Sequence, residues 1–311
     1  MTSSLHQNEL TLDAGLVSEL IGKHVPGLAH LGITPLRSRG SSNFNYHLGN
    51  DLLIRLPRLH GGGQSITKEY RWGQWVGAHL SLDTPEFIEI FPASEAFPES
   101  WAILRWMPGM QPEITPHTSV RSDRLVQGLT ELLRTLRTID IPPEASADAQ
   151  LHEMYRGHTL FSFDEAMRRH LAECRGLKDL ELDLDLALEI WQHAVTEEQK
   201  SDQNKPQRWF HGDIVAENLL MQDAKLSGLL DFGGLGIGDP AIDLHGTWEL
   251  FNASERAQLK DALSIGDLEW TRARAWALAV ALMTLPYYWS TLPERIASRL
   301  RIAQAVIDEW R

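Results

Sequence analysis

The sequence has one cysteine, Cys174, so no disulfide can form within the chain. That suits a reducing compartment. No lysine- or arginine-rich block is present and the formal net charge is −13, which argues against a nucleic-acid partner. Long apolar runs are missing too. The longest, Ala275–Met283, is too short to span a bilayer and reads as a buried helix closed by Pro286. The opening MTSSLHQNEL lacks a basic segment followed by an apolar one. No signal peptide and no membrane partner are therefore expected, and the setting expected is cytoplasmic. Repeats and low-complexity segments are absent. Gly61-Gly62-Gly63 is not followed by Gly-Lys-Ser/Thr, which excludes a Walker loop. Gly234-Leu235-Gly236-Ile237-Gly238 ends in Asp239-Pro240, which excludes a dinucleotide turn. His-Glu-x-x-His is absent, and so are the clustered histidines of a metallohydrolase.

What is present fits a globular protein of two lobes, since 311 residues can bury a large core. The acidity is uneven. Residues 1–107 carry −2, which leaves −11 of the −13 for the rest. A cationic ligand would be drawn to the second part. Residues 11–24 read as a helix stopped by Pro26. Strands follow at Ile33–Ser38, Phe44–Leu48 and Asp51–Leu56, with a hairpin turn at Gly49-Asn50. Ser65 is the expected cap of a helix over Ile66–Leu80. Pro85–Ile90 and Trp101–Trp106 are two more strands, and Met107-Pro108-Gly109 breaks the chain. The expectation is an α+β protein: a five-stranded antiparallel lobe with one main helix over 1–107, and a larger, mostly helical lobe over 108–311. Helices are expected at Ser122–Ile139, within 151–177 with Phe161 and Phe163 at a turn, at Leu184–Thr196, and near 240–251, 254–263, 267–284 and 292–310. The tryptophans, Trp106 included, default to core positions.

The most informative stretch is Trp209–Leu244, read as strand, tight turn, helical turn, strand, hairpin, strand and glycine-rich loop. Singly, Asp213, Asn218 and Asp231 are ordinary cap or turn residues. In this order they are a loop acid after the turn at Gly212, a loop amide five positions on, and an acid ending the strand Leu226–Leu230. Oxygen ligands of this kind suit Mg²⁺ with phosphates, and an exposed carboxylate suits an acceptor hydroxyl.

His211-Gly212-Asp213 with Asn218, then Asp231-Phe232-Gly233, resembles a shortened protein-kinase signature. The glycine in the middle of that triplet, together with Asp239-Pro240-Ala241-Ile242-Asp243-Leu244, resembles the aminoglycoside phosphotransferase and choline-kinase-like family of small-molecule kinases. The likeness is strong over 209–244 and weaker over 36–109. It implies a bilobal protein-kinase-like fold, with ATP or GTP in the cleft near residue 107 as phosphoryl donor. Asp213 would be the base, Asn218 and Asp231 the Mg²⁺ ligands, and His211, Asp239 and Asp243 the bracing of the loop. Ser41, Ser42 and Asn43 would cover the phosphates. Arg55 would meet the α/β-phosphates with Glu69 as its partner, and Arg105-Trp106-Met107 would form the hinge at the purine edge.

The chain departs from the family in three places. Its phosphate turn is Ser/Asn-rich, Arg55 stands where protein kinases have lysine, and the loop interior reads Ile-Val-Ala-Glu. The expected substrate is a hydroxylated, cationic small molecule such as an aminoglycoside, bound by a monomer or dimer, with Glu217, Glu153 and Asp164 as its acidic contacts. A macrolide is a rival acceptor, its apolar pocket supplied by Trp276, Tyr287, Tyr288 and Trp289. Choline, homoserine and amino sugars are further rivals. A non-catalytic nucleotide-binding module is the rival from another class.

Overall fold

The structure is a computed structural model, and it describes residues 6, 8–36, 42–114, 120–201 and 205–311. The chain forms two compact units, Met1–Ala78 with Asp83–Pro108, and His79–Leu82 with Gly109–Arg311.

The first unit opens with α1 (Ala14–His24), capped by Asp13, whose Oδ1 accepts from Leu16 N at 2.8 Å. Val17, Leu20 and Ile21 fall on one face and are buried. Strands β1 (Ile33–Pro35), β2 (Asn43–Leu48), β3 (Leu52–Pro57), β4 (Phe87–Phe91) and β5 (Trp101–Arg105) form an antiparallel sheet ordered β1-β2-β3-β5-β4. Between β3 and β4 lies α2 (Gly62–Lys68), continued by a π turn over Glu69–Gly73 into α3 (Gln74–Gly77). This helix starts four residues before its expected beginning at Ile66. Its cap is Gly61 rather than Ser65, and Glu99 satisfies the first amides by accepting from Gly61 N at 2.8 Å and Gly63 N at 2.9 Å. A carboxylate supplied from far along the chain replaces the local cap.

The second unit contains α4 (Val120–Thr138), α5 (Pro143–Ser146), α6 (Ala149–His152), α7 (Leu160–Arg175), α8 (Leu184–Lys200), α9 (Thr247–Leu250), α10 (Ala253–Ala262), α11 (Asp267–Tyr288) and α12 (Pro293–Trp310). Phe161 and Phe163 lie inside α7, because Thr159 caps it by accepting from Ser162 N at 3.2 Å. Helix α11 is buried nearly all round and packs against α7, α8 and α12. It also runs through Pro286 instead of stopping there. Proline cannot bond the carbonyl four residues back. That carbonyl, Leu282 O, instead accepts from Cys174 Sγ at 3.3 Å. Burial pushes the Cys174 thiol up to about 12, so it stays protonated and able to donate.

Two small antiparallel sheets complete the unit: β6 (Arg208–Phe210) with β9 (Gly236–Gly238), and β7 (Leu219–Gln222) with β8 (Lys225–Leu229). The stretch expected to be a glycine-rich loop is therefore partly a strand. Its glycines allow close approach: a Cβ at Gly236 would lie 2.5 Å from the Phe210 ring, and one at Gly238 would lie 2.6 Å from Gly157 O. Among the described residues no helix is long and apolar enough to cross a membrane.

Candidate active site

Strand β6 delivers the chain to His211-Gly212-Asp213. Gly212 has φ +82, and a Cβ there would meet Gly234 O at 2.7 Å, so both conformation and space demand glycine. Asp243 fixes the turn from behind. Its Oδ2 accepts from His211 N at 2.9 Å and its Oδ1 from Gly212 N at 2.6 Å. Burial pushes the Asp243 carboxyl up to about 6, against the pull of those two N–H donors. The His211 ring is fully buried and spans the turn. Nε2 lies 3.0 Å from Leu230 O, and Nδ1 accepts from Asp213 N at 3.3 Å. Donating at Nε2 and accepting at Nδ1 is the pattern of a neutral ring. Burial lowers its pKa in agreement, although Asp213 and Asp231 pull the other way. Asp239 holds the next turn, where its Oδ1 accepts from Ala241 N at 3.0 Å and Arg272 Nε donates to Oδ2 at 2.5 Å.

Both oxygens of Asp213 are engaged. Asn218 Nδ2 donates to Oδ2 at 3.0 Å and to the Asp213 backbone O at 2.9 Å. Arg156 Nη1 donates to Oδ1 at 3.0 Å and to Gly212 O at 2.5 Å. Burial alone would raise the Asp213 carboxyl, but the charges of Arg156 and then Arg299 outweigh it and hold the group well below the usual carboxylate range. Asp213 is therefore an anion at neutral pH, fixed in direction.

Asn218 commits its amide nitrogen to Asp213, which leaves the oxygen as its cation-facing end. Its backbone O accepts from Leu230 N at 2.8 Å, which anchors Asn218 beside the residue preceding Asp231. Asp231 is left-handed, φ 60 and ψ 73, and caps the turn Phe232–Gly234 through Oδ1, 3.3 Å from Gly233 N. Asp tolerates this conformation better than most residues. An amide oxygen and one carboxylate are too few for an all-protein metal cage. They suit Mg²⁺, which keeps waters and phosphate oxygens among its ligands. Among the described residues no group of three His, Cys, Asp or Glu could hold a metal.

Glu217 does not stand ready for a cationic substrate. Arg295 Nη2 reaches its Oε2 at 2.9 Å and Arg299 Nη2 its Oε1 at 3.2 Å, both from α12. Glu249 secures the same loop, its Oε2 accepting from Ala216 N at 2.9 Å and its Oε1 from Ser298 Oγ. Asp164 is also occupied, with Oδ2 on Arg168 at 2.9 Å and Oδ1 on Trp191 Nε1 at 2.8 Å. Glu153 is exposed just after α6. Among the described residues, the side-chain hydrogen bonds of Asp164 go to Arg168 and Trp191 rather than to Asp213. Trp276 is fully buried in α11, among the core residues.

In the first unit Arg55 and Glu69 meet at 2.8 Å, Nη1 on Oε2, and are 7% and 1% exposed. Asn43, with its amide oxygen toward Arg55, accepts from Nε at 3.1 Å and Nη2 at 3.2 Å. The structure thus joins three of the expected nucleotide residues. Ser42 is exposed before β2, and Ser41 lies outside the described residues. Arg105 points its side chain to Glu86 at 2.7 Å. Trp106 is not core: it is 36% exposed, packs against His47 with centroids 4.2 Å apart and the rings tilted by 49°, and its N donates to Asp51 O at 2.8 Å. Met107 is half-buried.

Arg156, Arg299, Glu249 and His245 had no signature in the sequence. Tyr155-Arg156-Gly157 matches no motif, and α12 lies far from the loop it holds. His245 is fully buried, with Nδ1 2.6 Å from Ile242 O, and burial pushes its pKa down to about 4.

A kinase-like α+β fold with a His-Gly-Asp turn, an amide and a second acid is a phosphoryl-transfer architecture. The phosphotransferase enzyme family model matches residues 33–276, more than three quarters of the chain, and the chain belongs to that family. Solved structures share the fold at low identity. Aminoglycoside 2'-phosphotransferase-IIIa, in its GDP complex, is 16% identical with a TM-score of 0.73, covering 96% of this chain and 100% of that one. ADP-bound aminoglycoside phosphotransferase APH(2'')-Ib is 15% identical, TM-score 0.64, with coverages of 95% and 99%. Macrolide 2'-phosphotransferase MphH from Brachybacterium faecium is 19% identical, TM-score 0.59, with coverages of 94% and 97%. No curated protein matches the sequence.

Proposed function

We propose that this phosphotransferase moves the terminal phosphoryl group of ATP or GTP onto a hydroxyl of a small molecule. One observation carries the reading: Asp213 is an ionised carboxylate aimed by Asn218 and Arg156, in the same loop system as Asp231. Asp213 accepts a hydrogen bond from the acceptor hydroxyl and takes its proton as the new P–O bond forms. Its low basicity suits this task, because phosphoryl transfer needs an oriented oxygen more than a strong base. Asn218 Oδ1 and Asp231 would hold Mg²⁺, which when bound neutralises phosphate charge. Arg55, braced by Glu69 and Asn43, is the nucleotide-phosphate residue of the first unit, and the backbone of Arg105, Trp106 and Met107 reads the base. GDP, ADP and ATP complexes of proteins with this fold support a nucleotide donor.

For the acceptor, complexes of proteins with this fold with kanamycin, gentamicin and streptomycin favour an aminoglycoside-type compound, and with it a role in antibiotic resistance. The acidity of residues 108–311 agrees with a cation, although Glu217 and Asp164 are already paired within the protein. Macrolides are the second reading, favoured by the fold shared with macrolide 2'-phosphotransferases.

The test is a screen of aminoglycosides, macrolides, choline, homoserine and amino sugars with Mg²⁺ and either nucleotide. We expect one class to stimulate nucleotide consumption and to gain one phosphoryl group by mass, with both signals lost on adding EDTA. Consumption that no hydroxyl compound stimulates, with either nucleotide, would sink the reading.

A further inference from the structure

Arg156 is not spent on holding the fold. Its Nε donates to Tyr155 Oη at 2.9 Å, and Nη1 donates to Gly212 O and Asp213 Oδ1. Nη2 has no partner among the described residues, and the side chain keeps 17% exposure. A structural arginine clamps a carboxylate most strongly with two parallel N–H bonds. Arg156 uses one nitrogen on Asp213, and Nη2 is left over on a side chain that keeps partial exposure. The ring face of Tyr155, 5.6 Å from the guanidinium carbon, and the fixed Gly212 carbonyl keep the group in place.

We infer that Arg156 is a catalytic residue whose Nη2 donates to the phosphoryl group in flight, while Nη1 orients Asp213. This rests on the phosphotransfer reading above. An acceptor oxygen within hydrogen-bond reach of Asp213 brings the incoming phosphorus beside the same carboxylate, and so beside Nη2. In the step, the bond from the terminal phosphorus to its bridging oxygen breaks, and the electron pair leaves with the nucleoside diphosphate. The acceptor oxygen bonds to phosphorus, and its proton passes to Asp213 and then to solvent. Charge spreads over the three equatorial oxygens during transfer, and a fixed guanidinium beside them favours that state over the ground state.

The experiment compares wild type, Arg156→Gln, Arg156→Lys and Asp213→Asn. Two quantities are measured: nucleotide turnover, with water or the acceptor found in the screen, and binding of Mg-ADP or Mg-GDP with and without aluminium fluoride as a planar phosphoryl mimic. Arg156→Gln should lower kcat about 10²- to 10³-fold, the usual loss for one transition-state donor. It should bind the nucleoside diphosphate within about threefold of wild type but lose the extra affinity that aluminium fluoride confers. Arg156→Lys keeps the charge without the fork, so it should recover part of kcat. A misfolded variant would lose diphosphate binding too, which separates unfolding from the expected result. Turnover of Arg156→Gln within threefold of wild type would overturn the inference. So would unchanged aluminium fluoride affinity with only a shifted pH profile, the mark of mere positioning. If wild type neither turns over nucleotide nor differs from Asp213→Asn, the phosphotransfer reading has failed and this inference falls with it.

Discussion

Each unit contains an arginine–carboxylate pair, one buried and one partly open, and the two are built in opposite senses. Arg55 and Glu69 join strand β3 to the π turn that follows α2, both almost wholly buried. Asn43 takes up the remaining fork of the arginine. On the proposed function the carboxylate there is the anchor and the arginine is the group meant for a nucleotide phosphate. Arg156 and Asp213 join a one-turn segment to a tight loop and stay partly open, at 17% and 26% of their side-chain surfaces. On the same proposal the carboxylate here faces the substrate, and Nη2 of the arginine has no partner among the described residues. On the proposed function the same kind of ion pair would serve as a cationic tool in one unit and an anionic one in the other.

The strongest way to break this contrast is to remove the offered carboxylate. Asp213→Asn keeps the shape but loses the charge, and turnover should fall about 10²- to 10⁴-fold, the span of a general base. Steady-state kinetics with the screened acceptor decide it, and a loss under threefold would transfer the role elsewhere. Next comes the anchor of the other pair. Glu69→Ala leaves Arg55 buried without its main counter-charge, at a cost of about 3–5 kcal/mol. The measurements are chemical denaturation and the nucleotide KM, which should rise; the Asp213 chemistry should be spared.

His245 supplies the third test, one of pH. Its folded pKa of about 4 lies below the unfolded 6.5, so the folded state resists its protonation. The stability it contributes is full above pH 6.5 and is lost as pH falls toward 4, up to about 3 kcal/mol. Asp243, raised to about 6 from 3.8, acts oppositely and regains stability over a similar interval. His245→Asn keeps a donor for Ile242 O and should flatten the acid loss. Thermal melts at pH 7 and 4.5 would then lie closer together than in wild type. Equal gaps in the two proteins would assign the acid response elsewhere.

How legible all this was depended on how far apart in sequence the partners lie. Asp213, Asn218 and Asp231 announce themselves because a tight turn and a short hairpin fix their spacing within one stretch. Strand β2 and its hairpin to β3 read correctly for the same local reason. Arg156 lies 57 residues before Asp213 and is recognisable only once folded. Glu99 caps a helix 36 to 38 residues away, so Ser65 looked like the start. Glu217 looked like a free acid because Arg295 and Arg299 approach from the last helix, 78 and 82 residues on. The strand at Gly236–Gly238 hid behind its glycines, which are there for packing rather than for a loop.

Gly212 is the fourth test and bears on the loop geometry alone. Gly212→Ala adds a methyl toward Gly234 O at a φ that non-glycine residues adopt with strain. The expected loss is about 1–3 kcal/mol, as for other strained backbone sites. In a unit of this size that lowers Tm by about 2–4 °C per kcal/mol. Turnover should fall further than stability alone explains, since Asp213 would lose its aim. A variant with wild-type Tm and turnover would show that the turn has slack.

The smallest effect is expected where the ion pair is fully open. Arg105 and Glu86 meet at 2.7 Å with both side chains 55% exposed. Each shifts the other's pKa in the expected direction, mainly through the hydrogen bond, with Glu86 lowered and Arg105 raised. Solvent screens such a pair, so removing it should change stability little. Arg105→Ala also leaves intact the backbone that would meet a purine, since the Arg105 amide already bonds Glu86 O at 2.9 Å. Neither Tm nor the nucleotide KM should move measurably. If KM rises severalfold while Tm stays put, the Arg105 side chain itself contacts nucleotide. The first unit would then offer two arginines rather than one, and the contrast between a buried tool and an open surface pair would no longer hold there.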